Sequence, residues 1–143
     1  MKEVGNYYVW NKGQIYPFNK YFKTSEFSCQ CKLKDCVEQK VSKELISKLT
    51  ELREALNEPL TVTSGFRCKA HQEEIRRSGQ STVVAKVSTH ELGDAVDVKP
   101  SRTSIKDFET IVARYFMAIG IAKNFLHLDL RGQDDKRIRR WNY

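Results

Sequence analysis

Between residues 125 and 131 the chain reads Phe-Leu-His-Leu-Asp-Leu-Arg, so Leu126, Leu128 and Leu130 alternate with His127, Asp129 and Arg131. That spacing is the two-residue period of a β-strand and fits no helical face. One side of the strand must be buried, while the other carries an imidazole, a carboxylate and a guanidinium. A sheet backed by helices meets the first demand, and its polar face then looks into a cleft. A second β-prone run, residues 94–98, repeats the device, with Asp94 and Asp97 set among Ala95, Val96 and Val98.

The helices that such a sheet needs are legible. Residues 41–56 place apolar side chains at 41, 45, 46, 49, 52 and 56, with Lys43, Glu44, Lys48, Glu51 and Glu54 on the other side, the pattern of a core-packing helix. Asn57 and Pro59 end it, and residues 60–63 form a β-rich run that Gly65 breaks before Arg67. A second helix is expected from a cap at Ser104, with Asp107 as in a capping box, through Ile105, Phe108, Ile111, Val112, Tyr115, Phe116 and Ile119 to a stop at Gly120. Residues 1–20 hold Tyr7, Tyr8, Trp10, Tyr16 and Phe18, punctuated by Gly5, Gly13 and Pro17. They read as an irregular arm or weak edge strand whose rings pack onto the rest. A chain of 143 residues suits one core, so residues 21–143 are expected to form a single domain behind that arm. The fold class is α+β: a small antiparallel sheet of about four short strands, helices on one face and a cleft on the other.

Charge and cysteine usage narrow the partners. Lys and Arg number 25 against 18 Asp and Glu, a net charge of +7, which favours polyanions such as nucleic acid, anionic lipid or bacterial cell wall. The longest apolar run, residues 116–122, is seven residues, against the roughly 20 of a membrane helix, so no membrane insertion is expected. The first 20 residues carry no continuous apolar segment and no small-residue cleavage site, and do not read as a secretory signal. Lys136, Arg137, Arg139 and Arg140 precede Trp141 and read as a solvated tail partly anchored by that ring, without a recognisable nucleic-acid module. The cysteines fall at Cys29, Cys31, Cys36 and Cys68, lacking the CxxC pairs of a structural zinc site. Three states stay open to them: reduced, partly buried thiols, a four-thiolate structural metal clip, or disulfides.

Only three histidines occur, His71, His90 and His127. Near His90, Gly93 lets the backbone turn, and Ala95 clears space on the strand face that carries Asp97. His90, Asp97 and His127 together supply two imidazoles and a carboxylate, a set suited to a zinc ion whose fourth position stays open to water. The spacing fits equally with two ordinary polar histidines and a satisfied buried acid.

The stretch Ser88, His90, Gly93, Ala95, Asp97 matches S-x-H-x-x-G-x-A-x-D, the pattern of the D-alanyl-D-alanine carboxypeptidase family of zinc peptidases. Upstream, Thr63, Ser64, Gly65, Phe66, Arg67, Cys68 and His71 resemble that family's T-S-G-[YF]-R-C-x-x-H segment. Downstream, His127 to Arg131 and the late Trp141 resemble its H-[VIL]-D-x-[RG] ending. The resemblance spans residues 22–143, and the same core occurs in vancomycin-resistance dipeptidases, phage endolysin peptidases and the Hedgehog signalling domain.

What the resemblance implies is a Zn2+ ion on His90, Asp97 and His127, and hydrolysis of a peptide bond in peptidoglycan stem or cross-link peptides, by a carboxypeptidase or an endopeptidase acting as a monomer. The dipeptidase branch has a Glu three residues before the last ligand as general base; here that position is Asn124, which cannot take a proton. Asp129, on the strand face of His127, is the expected replacement, with Glu91 second and a positioning role as the alternative for Asp129. Arg67 is expected to stabilise the oxyanion or grip a substrate carboxylate, with a structural ion pair as the alternative, and Ser88 to orient the site or substrate. His71 is expected to make a structural or substrate-side hydrogen bond. A wall substrate without a leader suggests a protein made in the cytoplasm that acts after lysis or virion delivery. The rivals are a non-catalytic zinc-containing wall-binding module and a basic nucleic-acid-binding domain.

Overall fold

Ser42 starts the first helix by accepting a hydrogen bond from the Leu45 amide at 3.3 Å, and Asn57 ends it in the left-handed conformation. In this computed structural model, which describes residues 1–78 and 88–143, that helix is α1 (Lys43–Leu56). Leu45, Ile46, Leu49 and Leu52 form its buried stripe, as the periodicity requires. Three short strands form one antiparallel sheet before it: β1 (Lys2–Val4), β2 (Tyr7–Asn11) and β3 (Glu38–Ser42). After it come β4 (Leu60–Ser64), α2 (Lys69–Ser78), β5 (Ala95–Pro100), α3 (Ile105–Val112), β6 (Ala118–Ile121), β7 (Leu126–Asp129) and β8 (Arg139–Asn142).

The second sheet has the order β4-β5-β7-β6-β8 and is antiparallel except for the β6–β8 pair. Val96 and Val98 of β5, Ile119 of β6, and Leu126 and Leu128 of β7 point to one side, where they meet α1 together with Phe108 and Val112 of α3. Each fully buried leucine there contributes about 1.5–3 kcal/mol. A one-residue slip of β7 would expose its leucines and bury His127 and Asp129 against the helices, so the core face fixes the register of the polar face. The α+β class, with α1 and α3 on one side of a largely antiparallel sheet, is the expected one.

Three expectations need correction. Residues 1–20 hold more regular structure than an irregular arm or a weak edge strand: β1 is an edge strand, but β2 is the middle strand of the first sheet, while Trp10, Tyr8, Tyr16 and Phe18 pack onto the core as expected. The helix expected over 104–120 keeps its Ser104 cap, which accepts from the Asp107 amide at 3.2 Å, but stops after Val112. Residues 118–121 have alternating as well as helical character, and pairing with β7 and β8 draws them into the sheet, Gly120 included. The basic C-terminal run is not a solvated tail either; residues 139–142 add a fifth strand to the sheet, one more than expected.

Candidate functional site

The two-residue period places Ala95 and Asp97 of β5, and His127 and Asp129 of β7, on the face away from the helices. Strand register then aligns one row across the whole sheet: Ser64 opposite Asp97, Asp97 opposite His127, His127 opposite Gly120, and Gly120 beside Trp141. Glycine is needed in that row. A Cβ at Gly120 would stand 3.0 Å from the His127 Cβ and 3.0 Å from the indole nitrogen of Trp141. His90 reaches the row from the turn before β5, where Gly93 takes φ +76°, a conformation other residues adopt at a cost.

His90, Asp97 and His127 converge. His90 Nε2 lies 3.2 Å from His127 Nδ1 and 3.3 Å from Asp97 Oδ1, and His127 Nδ1 lies 3.0 Å from Asp97 Oδ1. All three side chains are at most 4% exposed. The opposite ring nitrogens are engaged: His90 Nδ1 is 2.7 Å from the Gly65 carbonyl oxygen, and His127 Nε2 is 2.8 Å from Asp129 Oδ2. Both partners are acceptors, so in neutral rings those nitrogens carry the protons, and His90 Nε2 and His127 Nδ1 then turn lone pairs toward the Asp97 oxygen. Three electron-rich atoms facing one another call for a cation between them. Tetrahedral zinc, with bonds of about 2.0–2.1 Å to nitrogen and oxygen, sets neighbouring ligands roughly 3.3 Å apart, which is the spacing found. Among the described residues no fourth His, Cys, Asp or Glu joins the group, as an open catalytic position requires.

Electrostatics follow from this packing. Burial drives the His90 imidazole below its ordinary pKa, outweighing the neighbouring Asp97. Burial also acts on His127, but hydrogen bonds to Asp129 and Asp97 prevail and raise it. Asp97, despite the opposing effect of burial, is held well below the usual carboxylate range by His127 and His90. Asp129 resists burial in the same way and is held at about 2 by His127 and Arg131. Two ionised carboxylates and a His90 held neutral are the states a divalent cation prefers, whereas the raised His127 releases a proton when it binds one.

Other expected residues take different places. Asp129 is fully buried on the far side of the His127 ring from the converging atoms, where it also accepts from the Arg131 amide and guanidinium at 2.9–3.0 Å. Its geometry is that of a group that orients His127, the alternative to a general base. Arg67 donates from Nη2 to Asp97 Oδ2 at 3.0 Å and from Nε to Ser64 Oγ at 3.1 Å, with only 13% of its side chain exposed. It thus braces the carboxylate that faces the histidines, rather than standing free for a substrate. Ser88 Oγ accepts from the His90 amide at 3.1 Å and fixes the turn. Glu91 lies half-buried in that turn, and Asn124 is exposed in the bend before β7. His71 sits in α2, with Nδ1 3.7 Å from a Glu74 oxygen.

Sequence reasoning missed Tyr143. Its ring packs on His127 with centroids 4.6 Å apart, and its hydroxyl lies 3.4 Å from His90 Nε2 while the residue is 39% exposed. Burial raises its pKa, so the phenol stays protonated and able to donate. The available signal was the alternation in which Trp141 and Tyr143 share one strand face, but the surrounding basic residues masked it as a tail.

No curated protein matches the chain in sequence. A solved structure, that of the Serratia marcescens L-Ala D-Glu endopeptidase ChiX, is similar in fold with a TM-score of 0.52 and 23% identity, covering 66% of this chain and 83% of that one. Residues 20–129, which carry all three converging side chains, match the Peptidase M15 family model, and the chain belongs to the Peptidase M15 family.

Proposed function

We propose that the protein is a zinc-dependent peptidase that hydrolyses an amide bond in the stem or cross-link peptides of peptidoglycan. The observation that carries this reading is the triangle of His90 Nε2, Asp97 Oδ1 and His127 Nδ1, with sides of 3.0–3.3 Å and both imidazole tautomers fixed from behind. The chemistry a bound ion supplies is Lewis acidity toward the scissile carbonyl and toward a water, whose pKa it brings to about 7.

The chain's own residues do the rest. Asp129 and the Gly65 carbonyl hold protons on the outer ring nitrogens, so the inner ones present lone pairs. Arg67 offsets the charge of Asp97 at the oxygen turned away from the histidines. The Tyr143 hydroxyl stands on the solvent side of His90 and is placed to donate a hydrogen bond to the carbonyl oxygen as negative charge grows there. The bond joining L-Ala to D-Glu comes first among candidate substrates, because the Serratia protein of similar fold is named for it. Acting on that polymer means acting at the cell wall, and a lysis or virion-carried enzyme is the setting this reading adopts.

Mass spectrometry of muropeptides released from purified sacculi tests the proposal. New amine-bearing fragments should appear with zinc, vanish with a chelator, and be absent with His127→Ala. Binding to sacculi without new fragments would instead identify a wall-binding module, and chelator-insensitive cleavage would remove the metal from the account.

A further inference from the structure

Away from the sheet, four sulfur atoms come together without help from regular secondary structure. Cys29, Cys31 and Cys36 lie on the irregular segment between the Thr24–Glu26 turn and β3, and Cys68 lies just before α2. They form a small cluster of their own with Phe66, separate from the main core. All four are free thiols, yet their Sγ atoms all lie within 4.8 Å of one another, with Cys31 and Cys68 3.7 Å apart. A disulfide would bring two sulfurs to about 2.05 Å. Tetrahedral zinc with Zn–S bonds of about 2.3 Å holds its sulfurs roughly 3.8 Å apart.

The surroundings of the sulfurs point the same way. Each accepts an N–H hydrogen bond at 3.4 Å: Cys29 from the Cys68 amide, Cys31 from the Lys12 ammonium, Cys36 from the Gln39 side-chain amide, and Cys68 from the His71 amide. Gln39 is itself fully buried, and its oxygen accepts from the Cys29 amide at 2.6 Å. Four donors directed at four sulfurs are the environment of thiolates sharing a cation, as groups around a ligand set stabilise its charge. Among the described residues the hydrophobic side chain that packs on the cluster from outside it is Phe66, so neutral thiols would give this loop only a small apolar core.

We propose that Cys29, Cys31, Cys36 and Cys68 form a second, closed metal site that binds one thiophilic divalent cation, zinc foremost, and clasps the loop over residues 29–36 to the start of α2. The consequence reaches the sheet site. Cys68 follows Arg67, whose guanidinium braces Asp97 and whose amide donates to the His90 carbonyl at 3.3 Å. The neighbouring Phe66 amide donates to the Phe27 carbonyl at 2.8 Å. The clasp therefore anchors a positioning residue of the proposed active site without touching it.

Metal content of the full chain, purified under reducing conditions, tests this. Two zinc ions per chain are expected in the wild type, one in His127→Ala and one in Cys36→Ser. Cobalt-loaded His127→Ala should show the intense thiolate-to-cobalt charge-transfer absorption of a sulfur-rich tetrahedral site, and Cys36→Ser should lose it. Should Cys36→Ser not fold, the wild type still decides: its thiols should resist a thiol reagent until a strong chelator is added. The proposal is overturned if cobalt-loaded His127→Ala lacks the thiolate band, or if the wild-type thiols react equally fast with and without chelator. Neither result depends on hydrolysis, so loss of the peptidase reading and loss of this one are told apart.

Discussion

The His90, Asp97, His127 triangle and the four-cysteine cluster both gather ligand-type atoms, but they do so by opposite means. Two members of the triangle are cross-strand partners in the middle of a five-stranded sheet, fixed by a leucine face that cannot slip. The cysteines hang on a loop and a helix start that have no hydrogen-bonded ladder to place them. In the first site the fold builds the geometry and an ion would use it. In the second an ion would build the geometry and the fold depends on it. The difference separates a metal that does chemistry from one that does the work of a missing core.

Crossed substitutions give the largest expected contrast. His127→Ala should abolish peptide hydrolysis while the cysteine loop stays ordered. Cys36→Ser should lower the melting midpoint by more than about 10 °C, since a structural zinc is worth several kcal/mol of folding free energy. Thermal melts and hydrolysis assays on both variants check this, and equal effects on both readouts would dissolve the distinction between the sites. Asp129→Asn comes next. It removes the charge behind His127 but leaves the converging atoms in place, and should cost about 10–100-fold in metal affinity or activity. Isothermal titration with zinc measures it; an unchanged affinity with abolished turnover would return Asp129 to the general-base role.

Acidification of the metal-free protein should have a smaller effect. The Asp129 pKa is depressed from its unfolded value near 4 to about 2 in the fold. Its stabilisation is therefore fully present above pH ~4 and lost as pH falls through about 2, on the order of 2 kcal/mol in total. Urea unfolding across that window should show a smaller loss in Asp129→Asn than in the wild type, the remaining loss coming from Asp97, whose carboxyl is also depressed. Tyr143→Phe should be mildest, lowering kcat/KM about tenfold, the lower end for losing one hydrogen bond to a charged oxygen, with zinc content unchanged.

What the sequence displayed was whatever is local. The alternation of Leu126, Leu128 and Leu130 with His127 and Asp129 is a strand property, and it placed the polar side chains on one face before any partner strand was known. The spacing from His90 to Asp97 spans a single turn and strand, so it was legible too. What it hid depends on distant pairing. Ile119 and Phe116 fit a helix extending α3, and only β7 and β8 on either side of β6 decide otherwise. Residues 139–142 become a strand because they run parallel to β6, a partner that nothing in their basic composition announces. The cysteines lack a CxxC signature because the first three are spaced two and five residues apart and the fourth arrives from the turn between β4 and α2, 32 residues after the third. Strand period likewise put Asp129 beside His127 but could not say which ring nitrogen it meets.

Anomalous X-ray diffraction at the zinc edge, on crystals of the wild-type chain grown with zinc, tests the central claim most directly. The account predicts a peak bounded by His90 Nε2, Asp97 Oδ1 and His127 Nδ1, with solvent as the remaining ligand. Absence of that peak, or a fourth protein side chain closing the coordination, would contradict it.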